Sequence, residues 1–174
     1  MSYSRGQSEA PSFAIHTFGR FSGHLLPAGL GSTAWGTANL ALYAPVLVPR
    51  RIVVVKLALS NGGTADGNID LGIYDESGTL LVSTGAVAQS GTDTEQVRDI
   101  ADTTLGPGVY YLGVSLSSAA GRTRAYPTTA PIPAALGLLM EAAAHPLPAT
   151  ATWVVANALV FYPSVAMLTT TVIA

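Results

Sequence analysis

The side chains with the widest chemical range here are three histidines and ten carboxylates, and their spacing decides what they could do. Nucleophilic hydrolysis needs a serine on a tight turn with a histidine and a carboxylate in reach. The sequence has no G-x-S-x-G, and its histidines stand in unrelated contexts, His16 in a strand-like segment and His24 and His145 in loop-like ones. Zinc chemistry is no better served, because H-E-x-x-H and any close histidine pair are missing. With no cysteine there is neither a thiolate ligand nor a disulfide framework. Asp66, Asn68 and Asp70 have the alternate spacing with which calcium loops begin. Position six of such a loop would be Leu71 instead of Gly and position twelve Ser77 instead of Glu, so a polar strand connection is the better reading. Asp93, Glu95, Asp99 and Asp102 could supply a glycosidase pair only as any acidic strand could, and a solvated face explains them. The phosphate loop G-x-x-x-x-G-K is absent, and Gly62-Gly63 reads as turn chemistry. No catalytic residue, metal or cofactor is expected from this set.

Aromatic and cationic side chains leave one binding reading open. Trp35 and Trp153, with Tyr110, Tyr111 and Tyr126, could stack on sugar rings, although aromatics in strands more often fill cores. The candidate ligand surface is Trp35, Arg122, Arg124 and Tyr126, presented on loops around Arg122 to Tyr126 or Asn61 to Gly67.

Charge narrows the partners. Only 10% of residues are charged, against roughly 25% in an ordinary soluble domain. From Ala142 to Ala174 there is no Asp, Glu, Lys or Arg at all. A chain this poor in charge leaves apolar surface for other subunits to cover, which implies a homo-oligomer with the charge-free tail and the N-terminal arm as contact regions. Net charge of −2 and a single lysine, Lys56, exclude a nucleic-acid partner, which is bound through clustered cations. Pro146, Pro148 and Pro163 interrupt the tail, so no run of about 20 apolar residues could span a membrane. The first residues, MSYSRGQSEAPSF, lack a basic segment followed by an apolar one, so no secretory signal is expected and the chain is made in a cytoplasm, whatever its later address.

The elements that would position these residues are strands. In Arg51 to Ser60, Val53, Val55, Leu57 and Leu59 form an apolar alternate set, predicting a strand with that face buried. Ile69, Leu71 and Ile73 alternate with Asp70, Gly72 and Tyr74. The turn Asp75-Glu76-Ser77-Gly78 then leads into TLLVST, which predicts a hairpin. GPGVYYLGVSL predicts a strand with faces Tyr110/Leu112/Val114/Leu116 and Val109/Tyr111/Gly113/Ser115. Ala, Leu, Met and Glu between Ala134 and Ala144 favour one short helix, weakened by Gly137. The end of the chain should supply two strands broken near Pro163. The fold class that follows is all-β, an antiparallel β-sandwich of jelly-roll type with an extended N-terminal arm and at most one short helix. Residues 1–37 form the arm and an edge segment, and residues 38–174 the sandwich.

LYAPVLVPRRIVVVKLAL, GNIDLGIYDESGTLLVSTGAVAQSG, DTTLGPGVYYLGVSL, and finally LPATATW with FYPSVAM follow one another between Leu42 and Met167. In order and kind these segments resemble the β-sandwich proteins of tailed bacteriophages described as tail-fibre, minor-tail or virion surface proteins. The resemblance implies a non-enzymatic structural component of a virion, partnered by other virion proteins and by copies of itself, with a trimer implied by the resemblance alone. Its alternative is a receptor- or carbohydrate-binding module for host attachment, with a host surface glycan as partner. The long shaft of a full tail fibre is missing, which leaves capsid decoration, head-fibre and tail accessory roles open.

Overall fold

Turn chemistry and apolar alternation divide the chain into strands and one helical turn in the computed structural model, which describes residues 13–16, 30–127, 129–130, 132–159 and 161–172. Residues 1–12 and 17–29 of the expected arm and edge segment, His24 among them, lie outside the described residues, and β1 is described by its backbone only. The first strands are β1 (Phe13–His16), β2 (Gly31–Ala34), β3 (Leu40–Val48), β4 (Ile52–Ser60) and β5 (Asn68–Tyr74). Next come β6 (Leu80–Ser83), β7 (Val87–Ala88), β8 (Glu95–Leu105), β9 (Gly108–Leu116) and β10 (Arg122–Pro127). The helical turn α1 (Ile132–Ala135) precedes β11 (Leu139–Glu141), β12 (Val154–Val155), β13 (Phe161–Pro163) and β14 (Val165–Val172).

All pairings are antiparallel, as the sandwich reading requires. One sheet runs β1-β14-β4-β8, a larger one runs β12-β11-β3-β9-β5-β6 with β7 beside β5, and a small one, β13-β10-β2, holds β2 at its edge. The main core lies between the first two. Leu57, Leu59 and Met167 from one sheet meet Leu42, Ile73, Val114 and Leu116 from the other, while Trp35, Ala125 and Phe161 close one end. At about 25 cal/mol per Å² of apolar surface, this shared interior is the main favourable contribution to folding.

The hairpin and the two faces of β9 follow the sequence reading. Asp75 Oδ1 accepts hydrogen bonds from the Ser77 and Thr79 amides, at 2.9 Å each, and from the Ser77 hydroxyl, which seats the turn between β5 and β6. These bonds, the Ser77 hydroxyl foremost, hold the exposed Asp75 carboxyl below the usual carboxylate range. Leu112, Val114 and Leu116 point into the main core with Tyr110 packed beside them, and Tyr111, Gly113 and Ser115 take the opposite face.

Three expectations change. The apolar face of β4 is not Val53/Val55/Leu57/Leu59: Ile52 and Val54 are buried with Leu57 and Leu59, while Val53 and Val55 are half-buried. The cause is a bulge, because Val54 and Lys56 pair with consecutive residues of β14, leaving Val55 as an extra residue that shifts the alternation by one. The helix expected over Ala134 to Ala144 is only α1. Gly137, at φ 80°, sits where the chain leaves the helix, and Gly137 N–H bonds to Ala134 C=O while Leu138 N–H bonds to Pro133 C=O. That is a Schellman ending, and it frees Leu139–Glu141 to pair with β3. The end of the chain, from Thr152, supplies β12, β13 and β14 rather than two strands, with a break at Ser164 directly after Pro163.

The larger sheet is covered on its outer face too. Gly72 and Gly113 face each other across β5 and β9, and a Cβ on either would come within 3.3 Å of the Leu147 side chain. Leu147 therefore seats in a dimple that only two glycines could leave. Around it Ala41, Tyr43, Tyr74, Ala144 and Ala151 form a second, smaller core, so the first part of the charge-free tail is a lid of this sheet.

Candidate functional site

Two places gather polar and aromatic groups. The first is the end of the sandwich where the segments 61–67, 89–94 and 117–126 meet. Because β10 alternates, Thr123 and Ala125 are buried while Arg122, Arg124 and Tyr126 share the outer side. The two regions expected as loops are one place, and Arg122 to Tyr126 is strand β10 rather than a loop, because it pairs with β2: Arg122 N–H donates to Thr64 C=O at 2.8 Å, and Gly62 N–H donates to Arg122 C=O at 2.9 Å. The cations are already engaged. Arg122 donates to the Ser32 carbonyl, and Arg124 donates to the Leu30 carbonyl and to Asp93 at 2.8 Å. Tyr126 is 38% exposed.

Trp35 does not belong with them. It is 1% exposed, its indole N–H donates to Leu40 C=O at 3.0 Å, and its ring lies 5.7 Å from Phe161. A side chain sealed in the core offers no face to a ligand, so the four-residue surface reduces to Arg122, Arg124 and Tyr126. The signal for this was weak in the sequence, since a tryptophan flanked by Ala34 and Gly36 suits a loop as well as a core.

Beneath this surface lies a cluster that composition does not reveal. Asn61, Gln89 and Gln96 are each at most 6% exposed, yet their amides are joined. Asn61 Nδ2 donates to Ser90 C=O (2.7 Å) and Gln96 Oε1 (3.1 Å), and Asn61 Oδ1 accepts from Gln89 Nε2 (3.1 Å). Gln89 Nε2 also reaches Arg122 C=O, Gln89 Oε1 accepts the Asp66 amide, Gln96 Oε1 accepts the Ser90 amide, and Gln96 Nε2 reaches Ala88 C=O. These bonds tie the end of β4 to β8 and β10. Three amides scattered over 36 positions carry no periodicity, so only the tertiary structure brings them together.

The second place is the outer face of the larger sheet. Tyr43 and Tyr74 meet edge to face at 5.1 Å, and the half-buried Trp153 ring lies 5.4 Å from Tyr43 and 4.6 Å from Tyr111. Tyr43 OH donates to Glu141 Oε2 at 2.8 Å, Tyr74 OH donates to Pro148 C=O at 2.7 Å, and Glu141 also accepts the amide and hydroxyl of Thr152. Burial, and then the hydrogen bond to Glu141, pushes the Tyr43 phenol well above its ordinary value. Burial does the same for Tyr74.

His145 is the one described histidine side chain with a notable contact: Nδ1 lies 2.9 Å from Ser115 Oγ, and Asp70 is paired beside Ser115 on β5. The trio has the composition of a hydrolytic triad without its wiring. Ser115 is fully buried, and Asp70 Oδ2 accepts the Leu147 amide at 3.0 Å while its other oxygen takes the Thr84 hydroxyl. What the three do is fasten the segment 142–148 over the sheet.

The carboxylates named from sequence are dispersed. Asp99 pairs with Lys56 at 2.8 Å on an exposed face, Asp93 serves Arg124, and burial raises the Glu95 carboxyl. Asp66 accepts a short hydrogen bond from Ser118, and Asp70 turns into the sheet, so the calcium-like spacing does not converge. Among the described residues no three His, Cys, Asp or Glu side chains gather as metal ligands would, and no helix is long and apolar enough to cross a membrane. A narrow gap between the sheets, lined by Leu57, Leu71, Leu112 and Val165, has no polar atom on its wall.

The fold and these contacts define an antiparallel all-β sandwich. Comparison with protein families, curated proteins and solved structures found no match to the chain.

Proposed function

We propose that this chain is a non-enzymatic structural subunit of a bacteriophage particle, a capsid decoration, head fibre or tail accessory that packs against sister copies. The bacteriophage part rests on the resemblance of its ordered segments. The subunit part is carried by one observation, the uncharged apolar edge of the larger sheet. β3, α1, β11 and β12 together contain a single charged side chain, Glu141, and it is engaged with Tyr43 and Thr152. Along that edge Leu47 is 67% exposed, Val154 57%, Val155 49%, Ile132 44% and Leu136 41%. Monomeric proteins protect sheet edges with charge, and this edge carries only the engaged Glu141. β12 is too short to template a ladder, so the contact is side chain against side chain, and a rotational symmetry axis lets identical patches cover one another.

Sedimentation of the purified chain at micromolar concentration should show an oligomer. The double variant Leu47→Glu/Val155→Lys should raise its dissociation constant about 30-fold or more, the effect of losing roughly 2 kcal/mol at an apolar contact, with an unchanged circular dichroism spectrum. A wild-type chain that stays monomeric throughout that range overturns the reading.

The second reading, a glycan-binding module, is favoured by one arrangement: Arg122, Arg124 and Tyr126 side by side on β10 next to Asp93. Two guanidiniums and a phenol on one strand face, with a loop carboxylate beside them, could grip a sugar by hydrogen bonds and stacking. Binding on an array of host surface glycans, lost in Tyr126→Ala, would support it. Silence of the wild-type chain across that array would remove it.

A further inference from the structure

Asn61 is followed by Gly62, the dipeptide in which an asparagine closes most readily on its own backbone. The Gly62 nitrogen, once it loses its proton, attacks Asn61 Cγ, and Nδ2 leaves as ammonia after taking a proton from solvent. Water then opens the resulting succinimide at one of its two carbonyls, leaving aspartate or isoaspartate.

The fold itself demands this labile pair. A Cβ on residue 62 would lie 2.5 Å from Ser32 Oγ and 2.9 Å from Arg122 Cβ, so only glycine fits. Residue 61 must both donate to Ser90 and Gln96 and accept from Gln89, which among side chains of that length only asparagine does. The same contacts disable the chemistry. The attacking nitrogen is held protonated and turned away by its bond to Arg122 C=O, and the side-chain amide is fixed at both ends. At 0% exposure Asn61 meets neither base nor water.

We infer that Asn61 is a latent modification site, silent while the chain is folded and reactive once it opens, so that an unfolded chain loses the ability to return. The product explains the loss of return. A carboxylate at 61 would face the Ser90 carbonyl and Gln96 Oε1, acceptor against acceptor, and isoaspartate would lengthen the backbone where Asn61 bridges Thr123.

The test holds the full chain at mildly alkaline pH for equal times, folded in buffer and unfolded in urea. Conversion of the Asn61 peptide is followed by mass and by isoaspartyl methyl labelling, and refolding yield is followed in parallel. Conversion in the folded chain should be at least about a hundredfold slower, since even a modest opening free energy imposes that factor. Refolding yield should fall in step with conversion. A Gln89→Ala chain, which frees one end of the amide, should convert faster than wild type while still folded. Equal rates in the folded and unfolded chain, or full refolding of converted chains, would overturn the inference.

Discussion

Asn61→Leu should lower the unfolding free energy by about 3 kcal/mol, read as a fall in the urea midpoint at unchanged slope. Leucine has nearly the same volume and suits a buried site, so by transfer alone the change should help. What opposes it is the set of groups left behind. Ser90 C=O loses its 2.7 Å donor, and Gln89 and Gln96 each lose one of the bonds that fix their amides. Two lost bonds from Asn61 Nδ2 and one to its Oδ1, at about 1 kcal/mol each, make up the loss. Thr123→Val is the control of opposite sign. Thr123 sits across from Asn61, its Oγ1 is buried with no hydrogen-bond partner, and its removal should leave stability unchanged or raise it. If both substitutions moved the midpoint alike, the amide cluster would not be holding β4 to β8 and β10.

That cluster also marks the limit of what local sequence reveals. Turn residues and alternation were enough for the hairpin at Asp75 to Gly78 and for both faces of β9, because those signals act over a few residues. They misassigned Val53 and Val55 because a bulge is set by the partner strand, and β14 admits Val55 as an extra residue. They placed a helix over Ala134 to Ala144 because propensity outweighed one glycine, whereas Gly137 and the pairing of Leu139 with Tyr43 decided for a strand. The candidate site fared similarly: Arg122, Arg124 and Tyr126 share a face because a strand has period two. Trp35 is lost to the core because burial depends on Phe161, far along the chain. Tyr43, Tyr74, Glu141 and Trp153 were invisible as a group, since 110 residues separate the first from the last.

Alkali should unfold this protein through two of those residues. Tyr43 and Tyr74 are fully buried with their hydroxyls bonded to Glu141 and the Pro148 carbonyl, and burial pushes both phenols upward. In the unfolded chain each ionises near pH 10. The folded state therefore keeps two protons that the unfolded state releases, so stability is full below about pH 9 and declines above about pH 10. The slope is up to ~1.4 kcal/mol per pH unit for each phenol, and the pair should cost about 3 kcal/mol by about pH 11. Urea midpoints measured at about pH 8 and pH 11 give the difference, and phenolate absorbance on raising the pH should show at least two tyrosines silent until unfolding. Tyr43→Phe/Tyr74→Phe should start less stable at neutral pH, since Glu141 loses a donor, and should then show a flatter decline in alkali. Full ionisation of every tyrosine in a chain that remains folded would mean that the second core admits solvent. The lid formed by residues 142–153 would then be a loose cover rather than part of the packed sheet.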